Sequence, residues 1–225
     1  MRHEAPITAW PIPGLPPAAP ETLLLSTCAE LVGTSFFYAR EEEIFGDGEE
    51  ADFVYRLVSG AVRTCKLLSD GRRQIDAFHL PGDLFGFEPD AHHRLTAEAV
   101  ADTTVLLFRR RQMEDIARRN VEAACRLWDL TLRSLGHAQE HMILLGRRTA
   151  LERVAAFLMH MDARLGGTGH VDLAMPRRDI ADYLGLTLET VSRALSQLQH
   201  EGALRLSGAR KVMLDRRRMA AIVGD

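Results

Sequence analysis

Between residues 36 and 108 the apolar positions come in short runs, some alternating with polar ones, as in Phe53-Val-Tyr-Arg-Leu-Val, Ala61-Val-Arg-Thr-Cys-Lys-Leu-Leu and Thr104-Val-Leu-Leu-Phe. Turn-forming segments punctuate these runs at Gly46-Asp-Gly48, Gly60, Ser69-Asp-Gly71-Arg and Pro81-Gly82-Asp83. Short strands with regular turns predict an all-β barrel or jelly roll, and small barrels commonly hold a ligand in their interior. After Phe108 the period lengthens. Val121, Ala124, Trp128, Thr131, Leu135, Ala138, Met142 and Leu145 fall alternately three and four apart, the a/d seam of a coiled coil. A seam of that length calls for a partner helix and so predicts a symmetric homodimer. Leu127 and Leu130 supply a second stripe that predicts packing on the chain's own barrel.

A third pattern begins at Arg177. Ile180, Ala181 and Leu184 make one face of a short helix, Gly185 permits a sharp turn, and Leu186 fills the angle to a second helix whose buried stripe is Val191, Leu195 and Leu198. Thr187 is placed to cap that second helix. The spacing predicts a helix-turn-helix, with Leu188, Glu189, Ser192 and Arg193 facing outwards near the helix start, where base edges are met in the major groove. Arg can take guanine O6 and N7 together, Glu can accept from the cytosine amine, Ser can contact several bases, and Leu suits a thymine methyl. The runs Ala203 to Leu206 and Lys211 to Leu214 flank Ser207-Gly208-Ala209-Arg210 and predict a hairpin wing. Arg177, Arg178, Thr187, Thr190, Arg210 and Lys211 are the expected phosphate contacts, which position the protein without reading sequence.

Charge sharpens this picture. The 225 residues are 46% hydrophobic and 26% charged, with net charge −3, which excludes a uniformly basic nucleic-acid coat. From Arg147 onward, however, 13 Lys and Arg stand against 9 Asp and Glu, so the positive excess lies with the helix-turn-helix. Three widely spaced cysteines, Cys28, Cys65 and Cys125, cannot by themselves build a four-cysteine iron-sulfur or zinc site within one chain, and Cys125 is expected as a small core hydrophobe. With no apolar run long enough to cross a bilayer and no secretory leader, the expected location is cytoplasmic, away from membranes. His137-Ala-Gln-Glu140-His141 fits the pattern of inverted zinc peptidases. It lies on the seam helix without an obvious third ligand, so neither a metal site nor an enzyme is expected from it. His92 and His93 read as surface-loop residues.

The expected organisation is α+β: a Pro-rich arm over 1–25, a β-barrel over 26–118, a dimerisation helix over 119–145 and a winged helix-turn-helix over 146–225. That order resembles the CRP/FNR superfamily of transcription regulators. Glu42-Glu-Ile-Phe-Gly-Asp-Gly, Tyr55-Arg-Leu-Val-Ser-Gly-Ala-Val-Arg and Leu80-Pro-Gly-Asp-Leu-Phe-Gly look like its cyclic-nucleotide-binding-type jelly roll, and Arg178-Asp-Ile-Ala-Asp-Tyr-Leu-Gly-Leu-Thr-Leu-Glu-Thr-Val-Ser-Arg looks like its DNA signature. Lys66-Leu-Leu-Ser-Asp-Gly-Arg-Arg-Gln-Ile and His141-Met-Ile-Leu-Leu-Gly-Arg-Arg are most similar to FixK-type members, which serve low-oxygen metabolism and nitrogen fixation. Cyclic-AMP-binding members grip the phosphate with Arg-Ser-Ala and the ribose with Gly-Glu, whereas this chain reads Leu95-Thr96-Ala97 and Gly86-Phe87, leaving Arg94 and Glu88 displaced. Oxygen-sensing members carry an N-terminal cysteine cluster, and here only Cys28 is present. The resemblance therefore implies a homodimeric activator of RNA polymerase on a palindromic double-stranded DNA of TTGA/TCAA type, without cofactor, cyclic AMP or iron-sulfur cluster. The alternative is a nucleotide- or haem-switched regulator of the same superfamily.

Overall fold

The structure, a computed structural model, describes residues 33–208 and 210–224; the arm over 1–25, Cys28 and Ala209 of the wing turn lie outside the described residues. The described residues divide into two compact units, one of residues 33–66 and 76–135 and the other of residues 67–75 and 136–224.

Strands β1 (Thr34–Tyr38), β2 (Glu43–Phe45), β3 (Phe53–Ser59), β4 (Val62–Leu67), β5 (Arg73–His79), β6 (Leu84–Phe85), β7 (Thr96–Ala99) and β8 (Thr103–Arg109) form two four-stranded sheets, ordered β1-β8-β3-β6 and β2-β7-β4-β5, which belong to the first unit except for the end of β4 at Leu67 and the start of β5 at residues 73–75. One core joins them. Tyr38, Tyr55, Leu57, Phe85, Val105 and Leu107 from the first sheet pack with Ile44, Phe45, Val62, Ala97 and Ala99 from the second. This is the expected jelly roll, closed where alternate side chains turn inwards. Gly60 shows why glycine ends β3: its φ is 89°, and a Cβ there would run into the Asp102 carbonyl and Thr103. Helix α1 (Arg110–Arg119) follows β8, and its Met113 packs on Val54 and Phe108 with Leu127 from the next helix. That helix, α2 (Val121–Leu145), runs 25 residues. Leu127 thus performs the barrel-packing role expected of the second stripe.

The second unit holds α3 (Ala150–Arg164), β9 (His170–Asp172), α4 (Arg177–Leu184), α5 (Leu188–His200), β10 (Leu204–Leu206), β11 (Lys211–Leu214) and α6 (Arg216–Val223). Thr149 caps α3 by accepting from the Glu152 amide. The wing is a three-stranded sheet in the order β10-β11-β9. The sequence indicated only two of those strands, because His170-Val-Asp is too short to show a period. Asp162, 2% exposed, accepts from the Gly169 amide at 2.8 Å and pairs with Arg216 at 2.6 Å, holding the start of β9 and α6 onto α3.

Two expectations are corrected here. Cys125 is exposed rather than a core residue, because α2 turns Cys125 outwards and buries Ala123 instead. His93 is no surface-loop histidine: it is 2% exposed and stacks on Phe45 with ring centroids 3.6 Å apart. The His93 ring turns inwards onto Phe45, whereas the neighbouring His92 stays outside.

Candidate nucleic-acid interface

Helix α4 buries Ile180, Ala181 and Leu184, and α5 buries Val191, Leu195 and Leu198, the two stripes read from spacing. Between them Gly185 takes φ 62° and ψ 38°, and the amides of Gly185 and Leu186 both donate to the Ala181 carbonyl. This left-handed ending satisfies helix-terminal carbonyls and makes the turn sharp. Thr187 then caps α5, its hydroxyl accepting from the Thr190 amide at 3.2 Å. The cap fixes which side chains reach outward from the first turn.

Leu188, Glu189 and Arg193 are exposed there, and Ser192 is half-buried beside them. Glu189 has its carboxyl held below the usual range, first by its own amide at the helix start, then by the Thr187 hydroxyl, with Arg193 adding a smaller attraction. The carboxylate is therefore ionised at neutral pH and can act as an acceptor. Arg178 is exposed and Arg177 half-buried at the start of α4. On the wing, Lys211 is exposed, 3.9 Å from Asp172, whereas Arg210 is half-buried and donates to the Ala174 carbonyl at 3.0 Å. Arg210 thus has part of its guanidinium committed to the wing's own frame.

Along α2, Val121, Trp128, Thr131, Leu135, Ala138 and Met142 are exposed, and Ala124 and Leu145 are half-buried. Trp128 at 64% and Met142 at 67% expose far more apolar surface than a helix complete in itself would leave. Cys125 and Leu132 flank this stripe and are exposed too.

The histidine-rich stretch of α2 is divided by the packing. His141 is buried, bonds the Tyr183 carbonyl through Nε2 at 2.9 Å and stacks on the Tyr183 ring at 3.8 Å. Glu140 instead faces His160, 3.5 Å away, and His137 lies against the same ring. His137, Glu140 and His141 do not converge, and among the described residues no group of three His, Cys, Asp or Glu could hold a metal ion.

The barrel positions that a cyclic nucleotide would need are occupied by other partnerships. Glu88 accepts from the Arg94 amide at 3.2 Å and lies 3.4 Å from His93 Nδ1, while the Arg94 guanidinium turns back to the same carboxylate at 3.5 Å. Thr96 accepts from the Asp47 amide at 3.1 Å, and Leu95 offers no charge. Leu95 and Phe87 thus bring no charge to their positions, and the nearby Arg94 and Glu88 face one another.

Sequence reasoning missed a polar cluster on α4. Arg73 donates to Asp179 and Asp182, and Gln74 donates to the Tyr183 carbonyl at 3.3 Å. More than a hundred residues separate these partners, so no local spacing could have revealed them.

Comparison with known proteins follows the same division. Residues 36–120 match the cyclic nucleotide-binding domain and residues 152–222 the Crp-like helix-turn-helix domain. The chain is 45% identical to the nitrogen fixation regulation protein FixK of Azorhizobium caulinodans over 94% of its own length and 88% of that protein. It is 36% identical to the transcriptional activator protein FnrL of Cereibacter sphaeroides, over 84% of this chain and 79% of that one. Among solved structures, FixK2 from Bradyrhizobium japonicum superposes with a TM-score of 0.81 at 57% identity, covering 85% of this chain and 98% of that one.

Proposed function

The chain belongs to the CRP/FNR family of transcription regulators, among its FixK-type members, and we propose that it works as a homodimeric activator that binds a TTGA/TCAA-type palindrome without an effector. The observation that carries this reading is the set near the start of α5, with Leu188, Glu189 and Arg193 exposed and Ser192 half-buried beside them, held in place by the Thr187 cap and the Gly185 turn. Arg193 suits a guanine, Glu189 a cytosine amine and Leu188 a thymine methyl, while Arg177, Arg178, Thr187, Thr190, Arg210 and Lys211 stand where phosphates would pass.

Homodimerisation is supported by the exposed stripe from Val121 to Met142, since burial of Trp128, Leu135 and Met142 against a second copy would remove them from water. A two-fold protein matches two half-sites about one helical turn apart on one face of the duplex. Effector independence is supported by the Glu88, His93 and Arg94 partnership and by the uncharged Leu95. Contact with RNA polymerase and a cytoplasmic location accord with a regulator of this family in which, among the described residues, no helix is long and apolar enough to cross a membrane.

Selection of bound sites from random duplex DNA by the purified protein, with nothing added, tests the proposal. Enrichment of a TTGA/TCAA palindrome is expected. Enrichment only after a nucleotide, haem or metal is supplied would overturn effector independence, and enrichment of unpaired half-sites would overturn the dimer.

A further inference from the structure

Helix α4 carries two carboxylates beside its two DNA-facing arginines. Asp179 and Asp182 follow Arg177 and Arg178 within the same two turns, and Asp179 is only 2% exposed. Burial of a carboxylate is costly unless a cation and further hydrogen bonds meet it. The cation comes from residues 67–75, the segment around the turn between β4 and β5, which belongs to the same compact unit as α4. Arg73 Nη2 donates to Asp179 Oδ1 at 2.5 Å and to Asp182 Oδ2 at 2.8 Å, and its Nε donates to Asp182 Oδ2 at 3.0 Å. One planar guanidinium thus spans two carboxylates one helical turn apart, a geometry that Lys cannot reproduce.

The end of α4 is held from the same side. Tyr183 O, one of the carbonyls a helix leaves without an intrahelical partner, accepts from Gln74 Nε2 at 3.3 Å and from His141 Nε2 at 2.9 Å. Gly185 turns the chain into α5 immediately afterwards, so the orientation of α4 is handed directly to the helix that carries Glu189 and Arg193. The pattern is more than charge neutralisation on a surface: the Arg73 side chain is 24% exposed, Asp182 is 23% exposed, and the fork engages both partners at hydrogen-bond distance.

We propose that Arg73 is a positioning residue for DNA recognition: by clamping Asp179 and Asp182 it sets the angle at which α4 and α5 meet the duplex, without touching DNA itself. The inference rests on the DNA-binding reading above. Its consequence is a sign that electrostatics alone would not give. Asp182→Asn removes a negative charge from a surface beside phosphates, which by charge alone strengthens binding. Loss of the clamp weakens it.

The test compares the full-length parent with Arg73→Lys and Asp182→Asn, measuring affinity for the selected palindrome and for a random-sequence duplex at one salt concentration. Arg73→Lys keeps the net charge and loses the fork. Both variants are expected to bind the palindrome roughly tenfold more weakly and to bind random duplex within about twofold of the parent or, for Asp182→Asn, slightly more tightly. Stronger palindrome binding by Asp182→Asn, or unchanged palindrome binding by Arg73→Lys, would overturn the positioning role. Equal weakening on both duplexes would overturn it as well, since that is the signature of a general loss of structure. If the parent itself selects no palindrome, the DNA reading fails first, and this role falls with it.

Discussion

In the barrel unit, Arg63 lies between Glu41 and Glu98 at 2.6 and 2.8 Å, and Glu88 is taken up by His93 and Arg94. In the other unit, Glu189, Ser192 and Arg193 make no side-chain hydrogen bond to another element among the described residues. The two regions are built from the same residue types, and what separates them is whether the charged side chains are paired within the fold, even though the buried Nε2 of His93 is left without a hydrogen-bond partner. In the barrel these charged groups are turned on one another, and at the start of α5 Glu189 and Arg193 are left exposed. The difference locates recognition chemistry more sharply than fold does, because the fold of the barrel alone would suggest a small-molecule site.

The comparison breaks most visibly at the stripe on α2, the other place where the fold leaves groups unmatched. Leu135→Asp would put a carboxylate against its symmetry mate in a dimer, at a cost of about 3 to 5 kcal/mol for an unpaired buried charge. Light scattering at micromolar concentration should then report a monomer, and a persistent dimer would move the interface elsewhere.

A smaller effect is expected in the reading head. Arg193→Ala should weaken palindrome binding by about 1 to 3 kcal/mol and relax selection at the guanine pair. Equal weakening on palindromic and random DNA would remove Arg193 from base reading.

The barrel's internal pairing can be probed by pH. Burial holds the His93 imidazole below its ordinary range, with Glu88 pulling the other way, and in the other unit burial does the same to His160 against Glu140. Each folded pKa is depressed, so the unfolded chain takes up protons near pH ~6.5 that the folded chain refuses. Stability is therefore full above that pH and declines as pH falls through the folded values, by at most about 1.4 kcal/mol per pH unit for each group. Denaturant unfolding between pH 7.5 and 5 should show a shallower decline for His93→Gln than for the parent, and matching slopes would exclude His93 as a source.

The smallest expected effect is none at all. Cyclic AMP at a hundred times a binding dissociation constant would add about 2.7 kcal/mol of stability, and the pairing of Glu88 with His93 and Arg94 predicts no thermal shift. A shift in melting temperature would return the barrel to the class of sensors.

The reading head was legible because its determinants are local. A cap at Thr187, a glycine at Gly185 and stripes with a period of about 3.6 residues specify two short helices within some twenty residues. The jelly roll was legible through its turn glycines, since Gly60 and its counterparts mark backbone that other residues resist. What escaped depends on distant chain. His93 is buried because Phe45 comes to lie on it, and the Arg73 cluster joins residues more than a hundred positions apart. Cys125 was misplaced for a subtler reason: an apolar residue on a helix with two apolar stripes can face either, and only the packing of Leu127 on the barrel decides which one is covered.

The third strand of the wing carries a consequence for binding. β11 is paired on both sides, with Leu204 to Leu206 across one edge and His170 to Asp172 across the other, and Leu173 N donates to the Arg210 carbonyl at 2.9 Å beside it. Fixing a residue's backbone costs about 1 to 2 kcal/mol in conformational entropy. For the segment carrying Lys211 that loss is incurred when the chain folds, so association with a duplex need not freeze it again. If Lys211 meets a duplex, a strand already paired on both edges forfeits less of its contact energy to ordering.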